Sequence, residues 1–196
     1  MSSHFFAYLA RMKLINRWSL MRNTLGENIQ EHSLQVALIA HAMALIGNKY
    51  YKKQYDANKI AVIALFHDVS EVITGDLPTP VKYFNYQIRD NYHEVERMAQ
   101  DKLLSLLPGD LQDDYRSLLT PSEDESYFLV KAADKIAAYT KCLEEEMAGN
   151  REFSQAQKTI AREMEKYRIL PEVDYFWREF VASFSLTLDD MSFDNK

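Results

Sequence analysis

A histidine and an aspartate, His67 and Asp68, stand side by side inside an apolar run, AVIALFHDV. A run of that kind belongs in a protein interior. An ionisable pair carried inward is unfavourable unless a counter-charge, a hydrogen-bond network or a metal ion offsets the lost hydration. Whatever the chain folds into must therefore bring partners to this point. Two residues are placed to serve: His32, in NIQEHSLQVALIAH, and Asp134, in VKAADKIAAY. The order His, His-Asp, Asp along the chain is the pattern on which the functional reading turns.

The segments around these residues read as helix. Only five glycines and five prolines occur, and they fall where helices need to stop. Asn28 with Glu31 three residues on is a capping pair that predicts a helix running to Gly47. Asp56 opens a second predicted helix that carries HDVSE and stops at Gly75. GDLPTP, residues 75–80, is predicted not to be helical, because Pro78 and Pro80 push their predecessors towards extended geometry. Further helices are predicted over about 86–107 and 110–119, from Thr120-Pro121-Ser122 through Asp134 to Gly149-Asn150, and on both sides of Pro171. No strand alternation persists, and no repeat, low-complexity run or linker interrupts the pattern. The expectation is one all-α domain over 1–196, its site helices within about 28–147 and its tail, 185–196, irregular.

Composition bounds the function. At 196 residues and 22.9 kDa, with 47% hydrophobic and 27% charged residues, the chain can bury a real core as a soluble globular protein. The net charge of −6, with both signs interspersed, argues against nucleic-acid binding, which needs a basic face. It leaves room for a small anionic ligand, because a bound cation and one or two arginines can reverse the field locally. The single cysteine, Cys142, allows no intrachain disulfide, fits a reducing compartment and reads as a small packed residue on a helix. Arg11 and Lys13 stand where a secretion signal needs an apolar core, and the longest apolar stretch, VALIAHAMALIG, is too short to span a membrane. A cytoplasmic protein without membrane attachment is expected.

Helical spacing brings the chemistry-bearing side chains into register. His67 and Glu71 are four apart and Asp68 and Glu71 three apart, so each pair shares one side of a helix. His32 and Asp134, from two further helices, would complete an inward-facing set of two imidazoles and two carboxylates. A nitrogen and oxygen set without thiolate suits Mn²⁺, Co²⁺, Fe²⁺, Ni²⁺ or Zn²⁺ with open positions, unlike a closed structural zinc site. His41, nine residues from His32, falls on the opposite face of its helix. His4 and His93 lie in terminal or polar contexts and read as surface residues.

The segments INRWSLMRN, EHSLQVA, HDVSEVITGDLPTPVKYFN and KAADKIAAYTKCLEE together resemble the HD superfamily of metal-dependent phosphohydrolases, and within it the bacterial 5′-deoxynucleotidases. The similarity runs over nearly the whole chain. It implies a helical bundle of the HD-domain type that removes phosphate from deoxyribonucleoside 5′-monophosphates. It implies His32, His67, Asp68 and Asp134 as ligands of one divalent ion, Co²⁺, Mn²⁺ or a similar metal including Zn²⁺. It further implies Glu71 as a catalytic carboxylate and Arg17 as the residue orienting the phosphate. Trp18 with the turn Asp76, Leu77, Pro78 and Thr79 becomes the nucleoside pocket, His32 and Asp68 also lie against the substrate, and the assembly is a homodimer.

Residue chemistry accommodates these roles. A guanidinium keeps its charge at any relevant pH and grips phosphoryl oxygens with a planar fork. The leaving sugar alkoxide is poor, so a carboxyl near it has proton work to do, as acid or as base. Asp76 is expected near the sugar 3′-hydroxyl, and the prolines stiffen the loop behind it. Two rival readings are another HD phosphohydrolase acting on a cyclic dinucleotide, a guanosine polyphosphate or a nucleoside triphosphate, and a catalytically silent nucleotide-binding module. A triphosphate would favour more basic residues around the pocket than Arg17, Arg22 and Lys82, and the intact ligand set with Glu71 disfavours the second.

Overall fold

A computed structural model describes residues 2–82 and 84–191, apart from the side chains of 79 and 80. In order, the chain forms α1 (Phe5–Leu9), α2 (Ile29–Tyr50), α3 (Ala57–Phe66), α4 (Glu71–Thr74), α5 (Thr79–Lys82), α6 (Tyr86–Leu104), α7 (Gly109–Leu119), α8 (Glu125–Met147), α9 (Ser154–Met164) and α10 (Pro171–Phe180). Short 3-10 turns lie at Met12–Leu14, Arg151–Phe153 and Val181–Ser185. Among the described residues there is no strand, only an isolated antiparallel bridge between Asn16 and Asn28. The all-α expectation holds.

Helix α2 is the axis. Its start is the predicted capping box: the Asn28 side chain accepts from the backbone N–H of Gln30 and Glu31, and the Glu31 side chain accepts from the N–H of Asn28. Its buried residues Ile29, His32, Ser33, Val36, Ala37, Ala40, Met43, Ala44 and Gly47 recur every three or four positions, so one stripe faces inward. Against that stripe pack α3, α8 and α10. Val36, Met43, Ile60, Ile63, Leu129, Ile136 and Met164 form the larger apolar core. A smaller one, around Phe5, Ile29, Val69, Leu103, Leu104 and Leu119, joins α1, α6 and α7 to the start of α2. His32 thus lies in the face that makes the core.

Four local expectations are corrected. Helix α2 does not stop at Gly47 but continues to Tyr50. The glycine is there because a Cβ at 47 would come within 2.8 Å of the Tyr55 ring, which returns over the helix end. The predicted second helix breaks at the His-Asp pair: α3 ends at Phe66, and after a turn α4 begins at Glu71. Backbone bonds there run three residues back, from Val69 to Phe66 and from Glu71 to Asp68. The Ala64 carbonyl accepts from both the His67 ring, at 2.7 Å, and the His67 backbone N–H, at 3.4 Å, within this tight turn. Residues 79 and 80, expected not to be helical, open the single turn α5, with Pro80 early enough to need no N–H partner. Helix α8 is capped by Asp124, whose carboxylate accepts from the N–H of Tyr127, rather than opening at 120–122. Cys142 is fully buried on α8, as expected.

Candidate active site

Three elements deliver the predicted cluster: α2 brings His32, the tight turn after α3 brings His67 and Asp68, and α8 brings Asp134. His32 is wholly buried, with Nε2 3.0 Å from Asp134 Oδ1 and 3.8 Å from Asp68 Oδ2. The two histidine rings stand 5.3 Å apart. One ligand atom each from His32, His67 and Asp68 lies within 4.8 Å of the others, a grouping able to share a metal ion. Asp134 is outside that trio and joins through its contact with His32. The four residues drawn from the sequence do meet.

The donor set can be tested for fit to a cation. The Nδ1–H of His67 donates to the Ala64 carbonyl at 2.7 Å, which in the neutral ring fixes the tautomer and leaves a lone pair on Nε2. That nitrogen sits 3.1 Å from Asp68 Oδ2, off the line of a hydrogen bond, and it is buried without a partner. Two acceptors pointed at each other in an interior are unfavourable unless positive charge lies between or beside them. His32 Nδ1 is orphaned as well. The residues therefore suit a divalent ion.

The field of the cluster is uneven. Burial pushes the His32 imidazole down, and the Arg17 guanidinium adds to that. Burial would lower His67 too, but the adjoining Asp68 and then Asp134 outweigh it and the net shift is upward. Asp68 and Asp134 are held well below the usual carboxylate range: burial opposes this, and the histidines and Arg17 prevail. Both aspartates are thus anions at any physiological pH.

Arg17 and Trp18 sit beside the cluster on the loop before α2. The backbone N–H of Arg17 donates to the carbonyl of Glu27 at 2.9 Å, next to the Asn16–Asn28 bridge. The Arg17 Nη1–H donates to Asp68 Oδ2 at 3.2 Å. Trp18 adopts φ of 57°, a left-handed backbone that costs a bulky residue about 1–3 kcal/mol. Its ring leans on Phe153, centroids 5.3 Å apart.

Sequence reasoning passed over Glu27. Its Oε2 accepts from Arg17 Nε at 3.1 Å and from Trp18 Nε1 at 3.0 Å, while Oε1 lies 3.8 Å from His32 Nδ1. Nothing in spacing singles it out, since it precedes the helix and serves a loop. The one clue in the sequence is an acidic residue just ahead of a cap already supplied by Asn28.

Glu71 opens α4 with 7% of its surface exposed, and its Oε2 has no partner. Burial, with the negative charges of Asp68 and Asp76 nearby, pushes its carboxyl up to about 10, against the pull of Arg17 and Lys82. Without a cation nearby this favours the protonated form, and a divalent ion among the ligands would pull the other way. Gly75, at φ of 73°, turns the chain away from α4 into the Asp76, Leu77, Pro78 turn, all three half-buried. Burial raises Asp76 as well, within electrostatic reach of Arg17, Asp68 and Lys82. Thr79 begins α5, and its side chain is outside the described residues. Lys82 pairs with Glu96 at 2.7 Å and lies over the Tyr92 ring. His4 and His93 are exposed, as expected.

Comparison with known proteins converges on the same chemistry. Two proteins named 5′-deoxynucleotidase, from Yersinia pestis and Yersinia pseudotuberculosis, are each 53% identical to this chain over 98% of both partners. An HD-domain phosphohydrolase from Listeria innocua superposes with a TM-score of 0.83 at 25% identity, covering 94% of this chain and 90% of its own. The HD phosphohydrolase of cyanophage S-2L, bound to dA and one catalytic Zn²⁺ ion, shares the fold with a TM-score of 0.67 at 18% identity, covering 90% of this chain and 96% of its own. Residues 4–184 match the family described as 5′-deoxynucleotidase YfbR-like. The helical frame, the His-His-Asp-Asp cluster and these likenesses agree, and the chain belongs to the YfbR-like family of 5′-deoxynucleotidases.

Proposed function

We propose that this cluster is where a deoxyribonucleoside 5′-monophosphate loses its phosphate, with His32, His67, Asp68 and Asp134 holding one divalent cation. The reaction is hydrolysis to the deoxyribonucleoside and inorganic phosphate. The observation that carries the division of roles is the buried, unpartnered His67 Nε2 at 3.1 Å from the Asp68 carboxylate, with Arg17 on that carboxylate. A divalent ion supplies Lewis-acid polarisation and an acidified water there. Co²⁺ or Mn²⁺ suits the nitrogen and oxygen donors, and Zn²⁺, which the cyanophage neighbour holds, is the third ion to test.

The chain's own groups do the remaining work. Arg17 has one N–H on Glu27 and another on Asp68, which fixes the plane of its guanidinium and leaves its other N–H groups for phosphoryl oxygens. Glu71, whose carboxyl is pushed up by burial, donates a proton to the sugar 5′-oxygen as the ester bond breaks, so the leaving group departs as an alcohol. Its position beside Asp68 puts the donor next to the phosphate grip. Trp18 faces the sugar and disfavours a 2′-hydroxyl. Asp76 takes the 3′-hydroxyl, with Leu77, Pro78 and Thr79 completing a pocket that reads little of the base.

The chain works as one domain in the cytoplasm, on a small nucleotide rather than a polymer. Among the described residues no helix is long and apolar enough to cross a membrane. A second copy covers the outer stripe of α2, where Leu34, Leu38 and Leu45 are exposed at helical spacing. Light scattering on a Leu38→Glu variant should read a monomer where the native chain reads a dimer.

The assay that decides the reading is phosphate release from matched 5′-, 3′-, ribo- and deoxy-monophosphates with Mn²⁺, Co²⁺, Mg²⁺ or Zn²⁺. Deoxy 5′-monophosphates should be cleaved fastest, in a metal-dependent manner. Equal cleavage of 3′-esters, or intact nucleotides throughout, would overturn it.

A further inference from the structure

We infer that Glu27 is a positioning residue that ties the phosphate grip to the sugar pocket, so that recognition of phosphate and rejection of a ribose are set by one carboxylate. The inference rests on the roles proposed above for Arg17 and Trp18. A single oxygen, Oε2, accepts from Arg17 Nε at 3.1 Å and from Trp18 Nε1 at 3.0 Å. Both contacts are largely screened from water, with the Arg17 and Glu27 side chains 13% and 11% exposed. The carboxylate is itself anchored, since the Glu27 carbonyl accepts from the Arg17 N–H at 2.9 Å and the next residue, Asn28, is the α2 cap.

Each partner needs such a hold for its own reason. Arg17 lies between two carboxylates, Glu27 on its Nε side and Asp68 on its Nη1 side. Without Glu27 it keeps one anchor and its plane is free to turn about the Asp68 contact. Trp18 sits in a left-handed backbone that an L side chain adopts only when held, and its indole N–H is the polar handle by which it is held. Phe153 packs on the ring at a tilt of 60°, centroids 5.3 Å apart, a contact without a polar bond. The other oxygen of Glu27, 3.8 Å from His32 Nδ1, is beyond hydrogen-bond reach. The direct hold is thus on the two substrate residues, not on the metal corner.

The test compares Glu27→Ala, Glu27→Gln and Trp18→Phe with the native enzyme, measuring kcat and KM for a deoxy and a ribo 5′-monophosphate, bound metal and the melting temperature. Glu27→Ala should raise KM for both nucleotides about tenfold and lower the deoxy-to-ribo ratio of kcat/KM about tenfold, with bound metal unchanged. Glu27→Gln, which keeps an acceptor oxygen at the same place, should recover most of both effects. Trp18→Phe, which removes only the N–H, should lower the ratio without the rise in KM for deoxynucleotide. A native enzyme that discriminates, with a Glu27→Ala variant that discriminates equally, overturns the proposal and leaves the assigned function standing. An equal fall in kcat for both sugars, without change in KM or ratio, overturns it in the same way. A native enzyme that fails to prefer deoxynucleotides removes the sugar-pocket reading, and the proposal with it.

Discussion

Helix α8 carries two buried groups of charge on one face. At Asp134 it meets the His32, His67, Asp68 and Arg17 cluster, and two turns later Lys141 and Glu145 pair within the helix, 2% and 1% exposed. In the second group every charged atom has a partner. Glu145 accepts from the backbone N–H of Thr24 at 2.9 Å, from that of Leu25 at 3.2 Å and from Asn150 Nδ2 at 2.7 Å, while the Lys141 ammonium donates to it and to the Leu25 carbonyl. In the first, His32 Nδ1, His67 Nε2 and the neighbouring Glu71 Oε2 are all orphaned. Polar atoms in a protein interior are nearly always satisfied, so a concentration of exceptions marks a place shaped for something other than the fold. The satisfied group clamps the loop that follows Trp18, and the unsatisfied one is where the reaction is proposed.

The contrast can be broken by mutation. The largest effect expected is on turnover: Glu71→Gln should lower kcat by about 10²–10⁴-fold, the range of a lost proton donor, while metal content and stability hold. A metal-replete variant with native kcat would remove Glu71 from the reaction. On the satisfied side the sign reverses. Lys141→Met strands the Glu145 charge and should cost about 3–5 kcal/mol in urea unfolding, and adding Glu145→Gln should recover most of it. If Lys141→Met unfolds like the native chain, the pair is not a clamp.

Cation addition should stabilise only through the orphaned group. At a hundred times the dissociation constant the gain is about 2.7 kcal/mol, visible as a concentration-dependent melting temperature. His67→Ala should abolish that dependence, and Glu145→Gln should leave it. The remaining effects concern pH. Glu71 goes from an ordinary 4.5 to about 10 on folding, so the folded chain binds the extra proton between those values and metal-free stability falls as pH rises through them. Glu145 moves the other way, from 4.5 to about 2, and its contribution, present above about 4.5, is lost as pH falls towards 2. Glu71→Gln should flatten the alkaline limb and Glu145→Gln the acid limb. Unchanged limbs in both would show that neither carboxyl titrates as the geometry demands.

These two regions also differ in how far they could be read from the sequence. His32, His67, Asp68 and Asp134 were legible because ionisable residues interrupt apolar helices, an anomaly visible without a structure. The capping box at Asn28 was legible because it is a local pattern. The tight turn at His67 was not, since it includes an imidazole bonded to the Ala64 carbonyl beside the backbone N–H, which periodicity cannot register. Gly47 was misread for a related reason: its constraint is the Tyr55 ring, brought back from beyond the helix end. Lys141 and Glu145 look like an ordinary surface pair four apart on a helix, and what buries them is a loop more than a hundred residues earlier in the chain. Glu27 was invisible because its partners are side chains whose direction follows from a strained backbone at Trp18.

The bridge between Asn16 and Asn28 gives the molecule a fixed point from which two reaches are measured. Counting forward, His32 stands one helical turn beyond it; counting back, Arg17 stands at once beside it. An extra residue between 28 and 32 would swing the imidazole round the helix by about 100° and away from Asp134. An extra residue between Trp18 and Thr24 leaves both reaches at their length but falls in the loop that Glu145 and Asn150 hold. Insertions and deletions among relatives should therefore be missing from the first turn of the helix.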